Sequence, residues 1–119
     1  MATFNAQLPS GGQLNPGDNV VSPNLRYSLL MQHDGNLNLL DVRDPNNPQS
    51  LWASNTHGKA VNFCMMQTDG NLVIVGFPDL VWASNTDGHP NSFLQVQDDG
   101  NVVIVQPLCA VWATNTVQP

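Results

Sequence analysis

The sequence predicts an all-β domain built from three equivalent units around one shared core, and three observations carry that reading. A Gln-x-Asp-Gly-Asn string followed by aliphatics occurs three times, as "MQHDGNLNLL" (Met31 to Leu40), "MQTDGNLVIV" (Met66 to Val75) and "VQDDGNVVIV" (Val96 to Val105). Trp52, Trp82 and Trp112 stand 30 residues apart, in "LWASNT", "VWASNT" and "VWATNT". The apolar runs are four to six residues long and bounded by Asp-Gly, Asn-Thr or Pro, and no window longer than ten residues keeps a 3.6-residue period.

Each unit then reads, in order, as a strand, an Asp-Gly turn, a strand, a short turn, a Trp strand and an Asn-Thr turn. Asp-Gly between two apolar runs signals a hairpin, because glycine adopts positive φ without a steric penalty. Asp69 and Asp99 are 30 residues apart and Asp34 and Asp69 are 35 apart, so the first unit holds five extra residues. Their place is the turn-rich "DVRDPNNPQS" (Asp41 to Ser50). The repeats cover about 25–57, 60–87 and 91–117 of a single domain over residues 1–119, a length that supports one core. Residues 1–24 form a less regular leader with "PSGG" and "NPGD" as turns around short possible strands. A small sheet with one apolar face cannot bury it alone, so the three units are expected to close around a common axis. The three Trp are read as its filling and not as sugar-stacking platforms.

Strand alternation sorts the side chains after each turn. Leu37 and Leu39, Leu72 and Ile74, and Val102 and Ile104 form a uniformly aliphatic inner set. Asn36, Asn38 and Leu40, Asn71, Val73 and Val75, and Asn101, Val103 and Val105 face the other way, beside the Gln and Asp of the hairpin. That outer face offers a carboxylate, two amides and an aliphatic patch, a combination suited to sugar hydroxyls and C–H surfaces. A plain turn explains Asp-Gly-Asn, but it does not require the Gln three times.

The composition narrows the partners. Formal net charge is −6, with nine Asp, no Glu and only Arg26, Arg43 and Lys59 as cations. Such a chain presents no basic patch for nucleic acid or anionic membrane, and no apolar run is long enough to cross a bilayer. Its fifteen Asn supply polarity without charge. No basic, apolar leader is seen, so a cytoplasmic or leaderless-secreted protein is expected unless the chain is a mature form. Cys64 and Cys109 are read as buried free thiols. His33, His57 and His89 lie in unrelated turns with no repeated nucleophile, which argues against an enzyme. Asp98-Asp99 lacks the ligand density of a calcium site, and neither metal nor cofactor is expected.

At these residues the chain resembles the monocot mannose-binding, or bulb-type, lectins, whose sugar-site motif is Gln-x-Asp-x-Asn-x-Val-x-Tyr. The matches are Gln32-x-Asp34-x-Asn36, Gln67-x-Asp69-x-Asn71-x-Val73 and Gln97-x-Asp99-x-Asn101-x-Val103. The resemblance runs over essentially the whole chain and includes the three Trp strands. It implies a β-prism II fold of three four-stranded antiparallel sheets, with up to three metal-independent mannose sites on the outer faces. It implies that Asp and Asn bind the axial O2 of mannose, Gln binds O3, Val packs on the C3–C4 edge and Tyr donates to O4. It also implies a homodimer made by exchange of C-terminal strands, here about Val111 to Pro119. The departures are clear. Leu40, Val75 and Val105 stand at the Tyr position and Asn38 stands at the first Val position, so the second and third sites rank above the first. Gly35 stands where the family's first disulfide Cys sits, so that bridge is not carried over. A β-trefoil is the competing threefold fold, but its units are longer and its Gln-x-Trp signature is missing. The competing function is a protein–protein module with decayed sugar sites, motivated by the outward pairs Val73/Val75 and Val103/Val105 as exposed apolar patches.

Overall fold

The computed structural model describes residues 2–107 and 109–118 and contains strands and turns but no helix among them. The first repeat supplies three antiparallel strands, β5 (Tyr27–Met31), β6 (Leu37–Asp41) and β7 (Gln49–Ala53). The second supplies β8 (Val61–Met66), β9 (Leu72–Gly76) and β10 (Leu80–Ala83), and the third β11 (Phe93–Val96), β12 (Val102–Gln106) and β13 (Cys109–Ala113). Each Asp-Gly dipeptide closes the hairpin between the first two strands of its repeat, with Gly35, Gly70 and Gly100 at φ +94°, +94° and +88°. Asn55, Asn85 and Asn115 of the Trp segments also take positive φ, near +60°, which asparagine tolerates better than most residues.

The fourth strand of every sheet comes from the leader. β2 (Gln7–Leu8) pairs with β11, β3 (Gln13–Leu14) with β8, and β4 (Asn19–Val21) with β5. The N-terminal segment thus stitches all three sheets together and delivers Leu8, Leu14 and Val20, all fully buried, to the core. β1 (Thr3–Asn5) adds in parallel to β4, so the first sheet has five strands in the order β1-β4-β5-β6-β7 where four were expected. The other two have four, in the orders β10-β9-β8-β3 and β13-β12-β11-β2.

The inner aliphatic set lies in the core as alternation requires: Leu37, Leu39, Leu72, Ile74, Val102 and Ile104 are at most 1% exposed. Trp52, Trp82 and Trp112 meet one another edge to face, with ring centroids 5.6, 5.6 and 6.2 Å apart. This geometry suits the aromatic quadrupole, and each such pair contributes about 0.5–1.5 kcal/mol beyond simple burial. The Trp trio is therefore packing, as the sequence suggests. Cys64 is a free thiol buried in the same core, where desolvation pushes its pKa up to about 12 and leaves it unreactive. The side chain of Cys109 lies outside the described residues. In the first sheet the Arg26 guanidinium lies 4.9 Å from the centre of the buried Tyr27 ring and pairs with Asp41 at 3.0 Å.

Candidate carbohydrate-binding sites

The same construction repeats at each Asp-Gly turn. Asp34, Asp69 and Asp99 each use Oδ1 to accept the backbone N–H of the motif Asn two residues on, at 3.0 Å. The Asp is thereby fixed at the rim of the turn while its other oxygen makes no hydrogen bond among the described residues. All three Asp are exposed.

The motif Asn is held from beneath by the Trp segment of its own repeat. Asn71 Oδ1 accepts from Ser84 Oγ at 3.2 Å and from the Thr86 backbone N–H at 3.3 Å. Ser54 and Thr56 hold Asn36 in the same way, at 3.3 Å each, and Thr114 and Thr116 hold Asn101 at 3.1 and 3.2 Å. A backbone N–H can only donate, so the Asn oxygen must face inward and the Nδ2 donors outward. The clasp closes on itself. The two hydroxyls lie 2.7 Å apart in every repeat, and the second donates to the carbonyl of the turn glycine. These Ser and Thr residues read from sequence as turn chemistry only. Their signal was present, since Ser/Thr-Asn-Thr follows each Gln-x-Asp-Gly-Asn at constant distance from the Trp.

Glycine is required inside the motif for two reasons. The backbone sits at positive φ, and a Cβ at Gly35 or Gly70 would overlap the carbonyl oxygen of Lys59 or His89 from the segment that folds over the turn. At Gly100 the covering groups are Thr116 O, 2.9 Å from such a Cβ, and the Gln118 side chain.

The backbone N–H groups of Gln32, Gln67 and Gln97 donate to the carbonyl of the motif Asn at 2.9 Å. Their half-buried side-chain amides make no hydrogen bond among the described residues. Each site therefore gathers one Gln amide, one free Asp oxygen and one outward Asn NH2, close together on the outer face.

Beyond the turn the three sites differ. Val73 and Val103 face outward as expected but are 2% and 6% exposed, so they do not form open apolar patches. Their in-register neighbours, Met65 and Ala83 for Val73, and Gln95 and Ala113 for Val103, wall them in. Val73 and Val103 are covered by the strands beside them, so the pairs Val73/Val75 and Val103/Val105 are not the open apolar patches expected of a protein–protein module. Val75 and Val105 are half-buried. In the first sheet Asn38 takes the position of Val73 and Val103, and its Oδ1 accepts from Ser50 Oγ at 2.6 Å. Leu40 is half-buried beside Ser50. Sequence reasoning also passed over Phe63 and Phe93, which lie opposite Val75 and Val105 on the outer face. Counting back by twos from Gln67 and Gln97 reaches both. Among the described residues no group of three or more His, Cys, Asp or Glu is arranged to hold a metal ion.

Three twisted sheets closed around a Trp axis, each presenting the same polar cluster on its outer face, define a β-prism II protein. No protein-family model matches the chain. It is 44% identical over 68 residues to a mannose-specific lectin of Narcissus pseudonarcissus, a match spanning 56% of each protein, so it covers about half the length of the curated relatives it matches. Among solved structures it resembles monomeric monocot mannose-binding lectins from Gastrodia elata, with 39% identity, a TM-score of 0.83 and coverage of 94% of this chain and 98% of that one. The mannose-specific agglutinin of snowdrop (Galanthus nivalis), solved with methyl α-D-mannoside, gives 37% identity, a TM-score of 0.72 and coverage of 96% and 99%. A domain-swapped lectin dimer from Mycobacterium smegmatis gives 32% identity, a TM-score of 0.52 and coverage of 89% and 95%. The chain belongs to the monocot mannose-binding lectin family.

Proposed function

We propose that this protein is a non-catalytic, metal-independent lectin for mannose or mannose-rich glycans with up to three sites per chain. The sites are Gln67, Asp69, Asn71, Val73 and Val75; Gln97, Asp99, Asn101, Val103 and Val105; and Gln32, Asp34, Asn36, Asn38 and Leu40. One observation carries the reading. Among the described residues, three equivalent turns each leave a Gln amide, an Asp oxygen and an Asn NH2 without an intramolecular partner, with the Asp and Asn held in place by the turn and the Trp segment.

The free Asp oxygen accepts a hydrogen bond from the axial O2 hydroxyl of mannose while the Asn NH2 donates to the same oxygen. The Gln amide serves O3, and the Val floor meets the C3–C4 edge. Glucose carries O2 equatorially and misses this pair, so selectivity lies in Asp and Asn. A shallow site with few hydrogen bonds binds on the order of millimolar, about −4 kcal/mol. Avidity then depends on several sites per chain and on a homodimer. β13 and the tail after it are the last elements of the chain and complete the third site through Thr114 and Thr116. The domain-swapped mycobacterial lectin is a precedent for such an assembly in this fold.

Calorimetric titration with methyl α-mannoside, methyl α-glucoside and a galactoside tests the function. Millimolar binding of the mannoside alone is expected, and equal or absent responses to all three contradict it. Light scattering tests the dimer: a mass twice the 12.9 kDa chain is expected, and a monomer at high concentration rules the exchange out.

A further inference from the structure

We propose that Phe63 with Val75 and Leu80, and Phe93 with Val105, form an apolar extension of the second and third sites that accepts an apolar group carried at O4 of a mannoside. This rests on the mannoside orientation given above and deepens it.

Register places the residues. Phe63 pairs with Val75 from one side and Leu80 pairs with Val75 from the other, so all three share one face. Phe93 pairs with Val105 in the same way. Phe63 and Phe93 are half-buried, and neither is among the partly buried residues packed against the core. Leu80 is 59% exposed. An aromatic ring that serves no core contact therefore stands at the same place in two of the three repeats. In the first sheet that place belongs to Ser28, opposite Leu40, and Ser28 Oγ is occupied by the Asn19 amide at 2.9 Å.

Distance decides what the extension meets. Val75 lies four residues beyond Asn71, about 13 Å along a strand, which is wider than one pyranose ring. A sugar held by O2 and O3 at the turn covers the Val73 floor and directs O4 and its substituent toward Phe63. Val75 and Val105, which stand at the Tyr position, carry no donor, so capping O4 forfeits no hydrogen bond to them. An apolar cap gains the face of the ring.

Methyl α-mannoside, its 4-deoxy analogue and its 4-O-benzyl ether would be titrated against the full chain, following the side-chain amide NMR signals of Asn36, Asn71 and Asn101 separately. At Asn71 and Asn101 the 4-deoxy sugar should bind within about twofold of the parent and the benzyl ether about fivefold tighter. At Asn36 the benzyl group should bring no gain. Phe63→Ala and Phe93→Ala should each remove the gain at their own site and leave the parent mannoside unchanged. Parent binding with no benzyl gain, or an equal gain at Asn36, overturns this proposal and leaves the lectin reading intact. No binding of any of the three sugars overturns both.

Discussion

The site on the first sheet and its two counterparts begin alike and end differently. At the turn they superpose in chemistry: an Asp capping the next Asn, a Ser/Thr clasp beneath that Asn, a glycine under a covering loop. Toward the far end of the strand the first site offers Asn38, Ser50, Leu40 and Ser28, whereas the second offers Val73, Leu80, Val75 and Phe63. The turn end is constrained by the fold, and under the proposed function also by the sugar. The strand end is constrained by neither once the Tyr is gone, and each repeat fills it with its own side chains. One polypeptide thus carries one turn cluster three times, each with different surroundings along its strand.

The largest effect expected is loss of a site. Asp69→Ala and Asp99→Ala should each abolish the mannoside response of their own site, more than about tenfold, since a charge-assisted bond is lost. The other sites should keep theirs. A simultaneous loss at all three would mean that the sites do not act separately. Gly70→Ala comes next. It puts a Cβ into His89 O at positive φ and should cost about 2 kcal/mol or more in a denaturant titration. Gly58→Ala, at φ +84° in open space, should cost about 1 kcal/mol. Equal costs would show that the covering segment is not packed on the turn.

A smaller change should follow Ser84→Ala. Freed from its clasp, Asn71 should lose part of its fixed orientation, with about 1 kcal/mol of stability and a few-fold of affinity confined to the second site. Asn38→Val sharpens the comparison further. It should give the first site the floor of the others and raise its mannoside affinity about twofold to threefold, read from the Asn36 amide. A weaker site would mean that the Asn38–Ser50 pair itself contacts sugar. The smallest effect concerns pH. The Arg26 guanidinium lowers the pKa of Asp41, and the Ala2 N–H lowers that of Asp18. Both contributions are present above the ordinary carboxylate pKa of about 3.9 and are lost as pH falls through the lowered folded values. Stability should decline below about pH 4, and Asp41→Asn should flatten that decline in thermal melts across the acid range.

Much of this was legible in the residues. The aliphatics at Leu72, Ile74 and their equivalents face the core because a two-residue period leaves them no other choice. The Asp-Gly turns, the Trp axis and the motif clusters followed from repetition. The leader's short strands were legible around its two turns, but their places in the sheets were not. β2 and β3 are two residues each, too short for any period, and their pairing depends on the path of the leader over three sheets. The burial of Val73 was equally hidden, because an outward residue is covered only by the strands beside it, here through Met65 and Ala83. Half of the site was legible by motif. The Ser/Thr clasp and the two Phe required knowing which strand lies opposite which.

The most direct test follows the side-chain amides of Asn36, Asn71 and Asn101 by NMR as methyl α-mannoside rises to tens of millimolar, with a galactoside as control. Saturable shifts of Asn71 and Asn101, unmatched by galactoside, are predicted, with Asn36 responding more weakly. A folded protein whose three Asn amides stay in place throughout would contradict the account.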